Sequence, residues 1–246
     1  INITWGSHAE VVNAAGLLSK HGANHVEAAQ MIKDAVSIPT MLCGGIYSPE
    51  IGEELLENGV TDFVGIGKPA LAGRQLLADG EYCAKVQAGE IEDIRPCIGC
   101  GVGCHDRGML SGGVVQCAVN ASLYKYDGPV YPQAEVSKKV IVVGAGPAGC
   151  EAAITAKKCG HEVTLYEKRS IGGVLKEATV SDSKEDLGRL ITYYETQLKK
   201  NGIDVVFEEA NVDTIVKGGY DVAILATGAK VRVPEVKGLD SKEAIY

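Results

Sequence analysis

The sequence predicts an α/β protein with two parallel sheets and a cysteine-rich segment between them. Residues 1–92 alternate short apolar runs with amphipathic helical segments, a pattern typical of parallel strands joined by helices. Residues 138–246 open with an apolar run that leads into a glycine-rich turn and a helix. The intervening residues, 93–137, hold four cysteines and a polar connector that contains tyrosine and proline. We therefore predict three parts with boundaries after residues 92 and 137.

Composition excludes several classes of protein. The net charge of −8 over 246 residues argues against a nucleic-acid backbone as partner. No apolar run approaches the ~20 residues that span a bilayer, and the first residues do not resemble a secretory signal. Eight cysteines without such a signal favour metal or redox chemistry in a reducing compartment, so we expect a cytoplasmic protein. Because the chain opens on Ile1 and not on methionine, we expect it to begin inside a larger protein.

The first part is predicted to contain three strands and two helices. The strands are expected at 1–4, 38–45 and 61–67, and the first helix at 25–36. A second helix begins at Pro49 with Ser48 as its N-cap and stops at Asn58-Gly59. Three parallel strands cannot close a sheet on themselves, so this part belongs to a larger barrel or open sheet.

Glycines follow two of these strands. Gly44 and Gly45 end one strand, and Gly65 and Gly67 end the next, with Lys68 directly after them. Each pair alone is most simply explained as an ordinary turn. Two pairs at equivalent positions favour a phosphate-bearing cofactor, because glycine lets backbone amides approach a phosphate and lysine adds a positive charge.

The cysteine segment is the strongest chemical signal in the sequence. Its cysteines are separated by two, three and twelve residues: Cys97, Cys100, Cys104 and Cys117. This uneven spacing favours a [4Fe–4S] cluster over zinc, which usually takes two close pairs, and over free or disulfide-bonded thiols. Glycines at 99, 101 and 103 would let the backbone wrap the cluster and donate N–H groups to its sulfides.

The third part carries the fingerprint of a dinucleotide-binding domain. A strand at 140–143 runs into a turn and a helix whose key positions are Gly144, Ala145, Gly146 and Gly149. A second strand, 162–166, ends in Glu167. The glycines permit close approach of a pyrophosphate, and the carboxylate accepts hydrogen bonds from a ribose 2′-hydroxyl while repelling a 2′-phosphate. The residues do not say which dinucleotide is bound.

The order of these parts resembles the iron–sulfur flavin oxidoreductases that include 2,4-dienoyl-CoA reductase, enoate reductases and trimethylamine dehydrogenase. The resemblance covers essentially the whole chain and is carried by "IRPCIGC", Cys104, Cys117 and the later "GAGPAG". It implies the C-terminal part of an FMN-binding (β/α)8 TIM barrel, a [4Fe–4S] segment and an incomplete Rossmann-like FAD-binding domain. It also implies NAD(P)H as co-substrate and a separate NAD(P) domain beyond this sequence.

Site residues follow from the resemblance by position. It implies that the four cysteines named above ligate the cluster. The FMN phosphate loops are matched by Gly44, Gly45, Gly67 and Lys68, although relatives usually carry arginine at the last position. The FAD fingerprint is matched by Gly144, Gly146, Gly149 and Glu167. Two further flavin-contact motifs are matched by Gly172-Gly173 and Thr227-Gly228.

His8 is the candidate catalytic residue. It occupies the position where dienoyl-CoA reductases carry an active-site histidine after the sixth barrel strand, although a histidine near a strand end is by default a loop residue. The resemblance implies reduction of the C=C bond of an unsaturated acid or CoA ester. Electrons would pass from NAD(P)H to FAD, the cluster, FMN and substrate. The alternatives are an amine dehydrogenase and a non-catalytic electron-transfer subunit. We expect no nucleic-acid or membrane partner, and a homo-oligomer or partner chains.

Overall fold

A computed structural model describes residues 1–4, 25–67, 78–123, 130–181, 184, 186–230 and 232. They form two parallel sheets with helices between the strands, as the alternating sequence pattern predicts. Within the part of the chain that is described, no helix combines the length and apolar character needed to cross a membrane.

The N-terminal sheet has three parallel strands in the order β1-β2-β3. Its strands are β1 (Asn2–Ile3), β2 (Met41–Cys43) and β3 (Phe63–Gly65), and its helices are α1 (Val26–Ala35) and α2 (Pro49–Glu57). Leu42 lies at the centre, fully buried and in register with Ile3 on one side and Val64 on the other. Side chains from both helices, Ala29 and Leu55, complete this apolar core.

The residues at its two ends explain where helix α2 begins and ends. Ser48 occupies the extended N-cap position before Pro49, as predicted, but its side chain makes no capping hydrogen bond. Asn58 ends the helix and Gly59 follows with φ of 68°, in the left-handed region that glycine tolerates.

Residues 78–123, the middle segment, contain short helices and one wider helix. Its elements are α3 (Tyr82–Ala88), a 3₁₀ turn (Ile91–Asp93) and a π-helix (Val102–Leu110). In the π-helix, backbone hydrogen bonds span five residues, as from Asp106 N–H to the Gly101 carbonyl. Such helices are rare and often mark functional sites.

The C-terminal sheet has four parallel strands in the order β6-β5-β4-β7. Its strands are β4 (Lys139–Val143), β5 (Glu162–Tyr166), β6 (Asp204–Val206) and β7 (Val222–Leu225). Its helices are α4 (Pro147–Lys158), α5 (Leu175–Ala178), α6 (Asp186–Lys200) and α7 (Val212–Lys217). The core lies where α4 and α6 cover the sheet, and it includes the fully buried Val142, Ile154 and Leu165.

The middle segment packs against this C-terminal unit. Ala78 and Val119 belong to the same buried cluster as the C-terminal core, and Cys97 and Cys117 pack against it. Polar contacts add to the interface, because Asp93 accepts hydrogen bonds from Gln197 and Lys200 on α6. The cysteines are therefore held on the domain that contains the glycine-rich turn.

Candidate cofactor sites

The glycine-rich turn joins β4 to α4, with Gly146 at the N-cap and Pro147 in the first turn of the helix. A Cβ on Gly149 would collide with the carbonyl oxygen of Gly144, so the helix lies closer to the turn than alanine would allow. A Cβ on Gly146 would meet no atom within 4 Å, so this glycine faces open space. Close packing at one glycine and open approach at another are what a bound pyrophosphate requires at a helix N-terminus.

Glu167 lies beside this turn, directly after β5, and is only 8 % exposed. One carboxylate oxygen accepts a hydrogen bond from Ala145 N–H and the other from Arg169 N–H, both at 2.8 Å. Each oxygen keeps a further lone pair, so the carboxylate can still accept a ribose hydroxyl. The structure thus gives Glu167 a second task that the sequence did not predict, which is to hold the turn.

Two further segments, those of Gly173 and Thr227, lie against the glycine-rich turn. A Cβ on Gly173 would lie 3.1 Å from the Cα of Gly146, and a Cβ on Gly144 would lie 3.3 Å from the Cα of Thr227. Gly228 follows with φ of 75° and open space around it. Segments that are far apart in sequence therefore meet at one point, and each carries residues predicted to contact the flavin. The residues present fit a dinucleotide.

The four cysteines of the middle segment line one small cavity. Cys97 and Cys100 enter it from the segment before the π-helix, Cys104 from that helix, and Cys117 from the returning chain. The two arms are tied together at Gly103, whose carbonyl accepts a hydrogen bond from Gln116 N–H at 2.9 Å. A Cβ on Gly103 would collide with the Gln116 carbonyl, so only glycine allows this approach.

The pKa of the Cys117 thiol is raised overall, although backbone hydrogen bonds to its sulfur partly oppose the rise. Burial raises the pKa of its thiol, whereas the backbone N–H groups of Val119 and Asn120, which point at the sulfur, lower it. The neighbouring thiols Cys100 and Cys104 raise this pKa again, because several thiolates repel one another. A bound cation removes that repulsion, since metal ligands bind as thiolates.

The four cysteines reach the cavity from different stretches of the chain. Among the residues that the structure describes, no group of three or more His, Cys, Asp or Glu side chains is placed to hold one metal ion. A single zinc needs all its thiolates about 2.3 Å from one centre. A cubane instead takes one thiolate at each iron, so its ligands stand around a cavity, and the residues present fit a [4Fe–4S] cluster.

The third candidate site lies at the edge of the N-terminal sheet. Cys43 at the end of β2 is in register with Gly65 at the end of β3, so Gly44, Gly45 and Gly67 follow neighbouring strands at one edge. A Cβ on Gly44 or Gly67 would meet no atom within 4 Å, which leaves backbone approachable by a phosphate. The other two predicted residues of this part, Lys68 and His8, lie outside the described residues.

One buried ion pair, between the cysteine segment and helix α4, was not predicted from the sequence. Arg95 precedes the first cysteine by two residues, and its guanidinium contacts Glu151 on α4, at 2.8 and 3.1 Å. The two residues are 56 positions apart, and no pattern in the sequence links them. The only sequence signal was an arginine next to Pro96-Cys97 in a predicted ligand segment.

Comparison with known families supports the assignment of the third part. Residues 138–246 match the family described as pyridine nucleotide-disulphide oxidoreductase, which implies a domain for FAD and NAD(P)H. This range begins at the predicted boundary before β4 and includes the whole C-terminal sheet.

Relatives extend the likeness over most of the chain. Bilirubin reductase from Mediterraneibacter gnavus is 39 % identical over 85 % of this chain and 32 % of its own length. Cinnamate reductase from Clostridium sporogenes is 34 % identical over 86 % of this chain and 31 % of its own length. Amine dehydrogenases are also among the matches. The chain thus spans about a third of the length of these curated relatives.

The chain is also similar to a solved structure of a reductase. The complex of 2-naphthoyl-CoA reductase with 2-naphthoyl-CoA superposes with a TM-score of 0.81 at 32 % identity, over 98 % of this chain and 36 % of that one. The chain's homologues are iron–sulfur flavin oxidoreductases of the family that includes 2,4-dienoyl-CoA reductase and trimethylamine dehydrogenase, and the chain is similar to them over most of its length.

Proposed function

We propose that this chain is the cofactor-binding part of an NAD(P)H-dependent ene-reductase, which reduces the C=C bond of an α,β-unsaturated acid or CoA ester. The observation that carries the proposal is the packing of the four-cysteine cavity against the domain with the dinucleotide turn. A one-electron centre and a two-electron carrier held on two packed parts of one chain suit stepwise electron transfer.

Each part of the chain has a proposed cofactor. The turn at Gly144–Gly149, together with Glu167, Gly173 and Thr227, would hold FAD. The four cysteines would hold a [4Fe–4S] cluster. The N-terminal sheet is proposed as the C-terminal part of an FMN-binding (β/α)8 barrel, with its phosphate held by Gly44, Gly45, Gly67 and Lys68. When bound, these groups supply hydride transfer at the flavins and single-electron transfer at the cluster.

The chain's own residues bind and orient these groups. The N-terminus of α4 offers free N–H groups and its dipole to a pyrophosphate. Glu167 fixes the turn and favours an unphosphorylated ribose. His8 is the proposed hydrogen-bond donor to the substrate carbonyl, where it would stabilise negative charge that develops on that oxygen.

The reductase names of the relatives favour alkene reduction over amine oxidation. The test is anaerobic turnover by the full-length protein, with NADH and a panel of three substrates: an unsaturated acid, its CoA ester and a methylated amine with an electron acceptor. NADH consumption with formation of the saturated acid or ester is the expected result. If only the amine is oxidised, the protein is an amine dehydrogenase and not an ene-reductase. Flavin reduction by NADH without turnover of any substrate would indicate an electron-transfer subunit.

A further inference from the structure

Arg95 is a buried cation between the cysteine cavity and helix α4. Its side chain is almost fully enclosed, and its guanidinium stacks over the ring of Tyr193, 5.0 Å from the centroid. Burial by itself lowers the pKa of Arg95, but the hydrogen bonds that it donates to Glu151 raise this pKa above its ordinary value, so the group is a permanent charge. Its backbone is anchored separately, because Arg95 N–H donates to the Asp79 carboxylate at 2.7 Å.

The guanidinium also contacts the returning arm of the cysteine segment. Its Nη1 donates to the carbonyl oxygen of Val119 at 2.6 Å. That carbonyl and the N–H of Asn120 belong to one peptide group, and the N–H points at the sulfur of Cys117. A donor on the carbonyl side of a peptide strengthens the hydrogen bond made on its N–H side. Arg95 is thus connected to a proposed cluster ligand through a single polarised peptide.

Glu151 opposes this charge. Its carboxylate forms a two-point ion pair with the guanidinium, Oε2 with Nη1 at 2.8 Å and Oε1 with Nη2 at 3.1 Å. Glu151 lies on α4, the helix that begins at the glycine-rich turn. The pair therefore joins the helix of the proposed FAD site to both arms of the cysteine segment, through the stretch before Cys97 and the stretch after Cys117.

We propose that Arg95 is a positioning residue that raises the reduction potential of the cluster held by the four cysteines, and that Glu151 partly cancels this effect. The inference rests on the proposed cluster. Reduction adds one electron to the cluster and breaks no bond, so the protein acts only through charge and hydrogen bonding. A nearby positive charge and a polarised N–H···S contact both stabilise the added electron. A nearby carboxylate destabilises it.

Substitutions at Arg95 and Glu151 should shift the reduction potential of the cluster in opposite directions. Opposite signs distinguish an effect of charge from a general loosening of the packing around the cluster. In Arg95→Met the side chain keeps most of its volume but loses its charge and the Val119 contact, so the midpoint potential should become more negative. In Glu151→Gln the carboxylate loses its charge but keeps one oxygen as acceptor, so the potential should become more positive. Arg95→Lys retains the charge without the planar fork. Its potential should lie between wild type and Arg95→Met.

The experiment is an anaerobic dithionite titration of the full-length protein, followed by electron paramagnetic resonance of the reduced cluster, with iron content measured in parallel. Opposite shifts for Arg95→Met and Glu151→Gln at full iron content support the proposal. Shifts of the same sign, or no shift in either variant, overturn it. If Arg95→Met loses its iron, Glu151→Gln alone is the test: a more positive potential supports the proposal, and a more negative or unchanged potential overturns it. Wild-type protein without iron would instead refute the proposed function.

Discussion

Gly149 in the first helix of the C-terminal domain and Gly144 in the preceding turn are so close that a single methyl group cannot be placed between them. The contact is between the Cα of Gly149 and a backbone carbonyl, which cannot rotate away as a side chain could. This relationship fixes the distance between α4 and the end of β4, and with it the shape of the proposed pyrophosphate site.

Gly149→Ala should therefore destabilise the domain whether or not flavin is bound. Overpacking of this kind costs about 1–3 kcal/mol, so thermal unfolding of flavin-stripped protein should begin at a lower temperature. Gly146→Ala is the matched control, because its methyl group would meet open space. It should leave the stripped protein as stable as wild type but weaken FAD binding about tenfold or more. Equal effects of the two substitutions on stripped protein would contradict the assigned roles.

Glu167→Gln should weaken flavin retention as well. The carboxylate accepts two backbone N–H bonds, and an amide nitrogen cannot replace one of its oxygens as acceptor. A buried donor left without a partner costs about 1–3 kcal/mol. The control is Glu162→Gln, at the exposed start of the same strand. The flavin remaining after gel filtration should fall for Glu167→Gln alone, and equal retention in both variants would count against the role of Glu167.

Gly103→Ala should lose the cluster although all four cysteines remain. The added methyl group would push the π-helix away from Gln116 and separate the two arms of the segment. Gly108→Ala provides a control in the same helix, since its methyl group would meet the side chain of Val115, which can change rotamer. The measurement is iron per chain after anaerobic purification. Full iron in Gly103→Ala would show that this close approach is dispensable.

Several elements of the fold are determined by the residues within and next to them. The strand Glu162–Tyr166 has the bounds that the sequence predicts, and the helix that begins at Pro49 ends where Asn58 and Gly59 indicate. Alternating or continuous apolar runs, bounded by glycine and proline, determine these elements within a few residues. The same is true of the glycine-rich turn, where the motif itself encodes the geometry.

Other features depend on contacts that no local pattern encodes. The π-helix from Val102 to Leu110 has no periodicity of its own and is held by the return of the chain at Gln116. The pair of Arg95 and Glu151 forms only after two separate segments have packed. Ser48 had the sequence of a capping residue, yet its position in the fold leaves the side chain without the capping bond. Tertiary packing decides such details.

His8→Asn tests the proposed substrate end of the enzyme. In the full-length protein, this change should leave FMN, FAD and iron contents unchanged, and NADH should still reduce the flavins at a near-normal rate. Reoxidation by the alkene should slow by about 10²–10³, the usual effect of removing one donor to a developing oxyanion. Stopped-flow absorbance separates the two half-reactions. Reoxidation at the wild-type rate would make His8 an ordinary loop residue.

The most direct test of the central claim is the metal, sulfide and flavin content of the full-length protein purified without oxygen. We expect about four irons with matching sulfide, together with both FMN and FAD. Cys100→Ser should abolish the iron and sulfide, whereas Cys83→Ser, at an exposed position outside the cavity, should not. Stoichiometric zinc without iron, or a cluster unaffected by Cys100→Ser, would show that these four cysteines do not bind a [4Fe–4S] cluster.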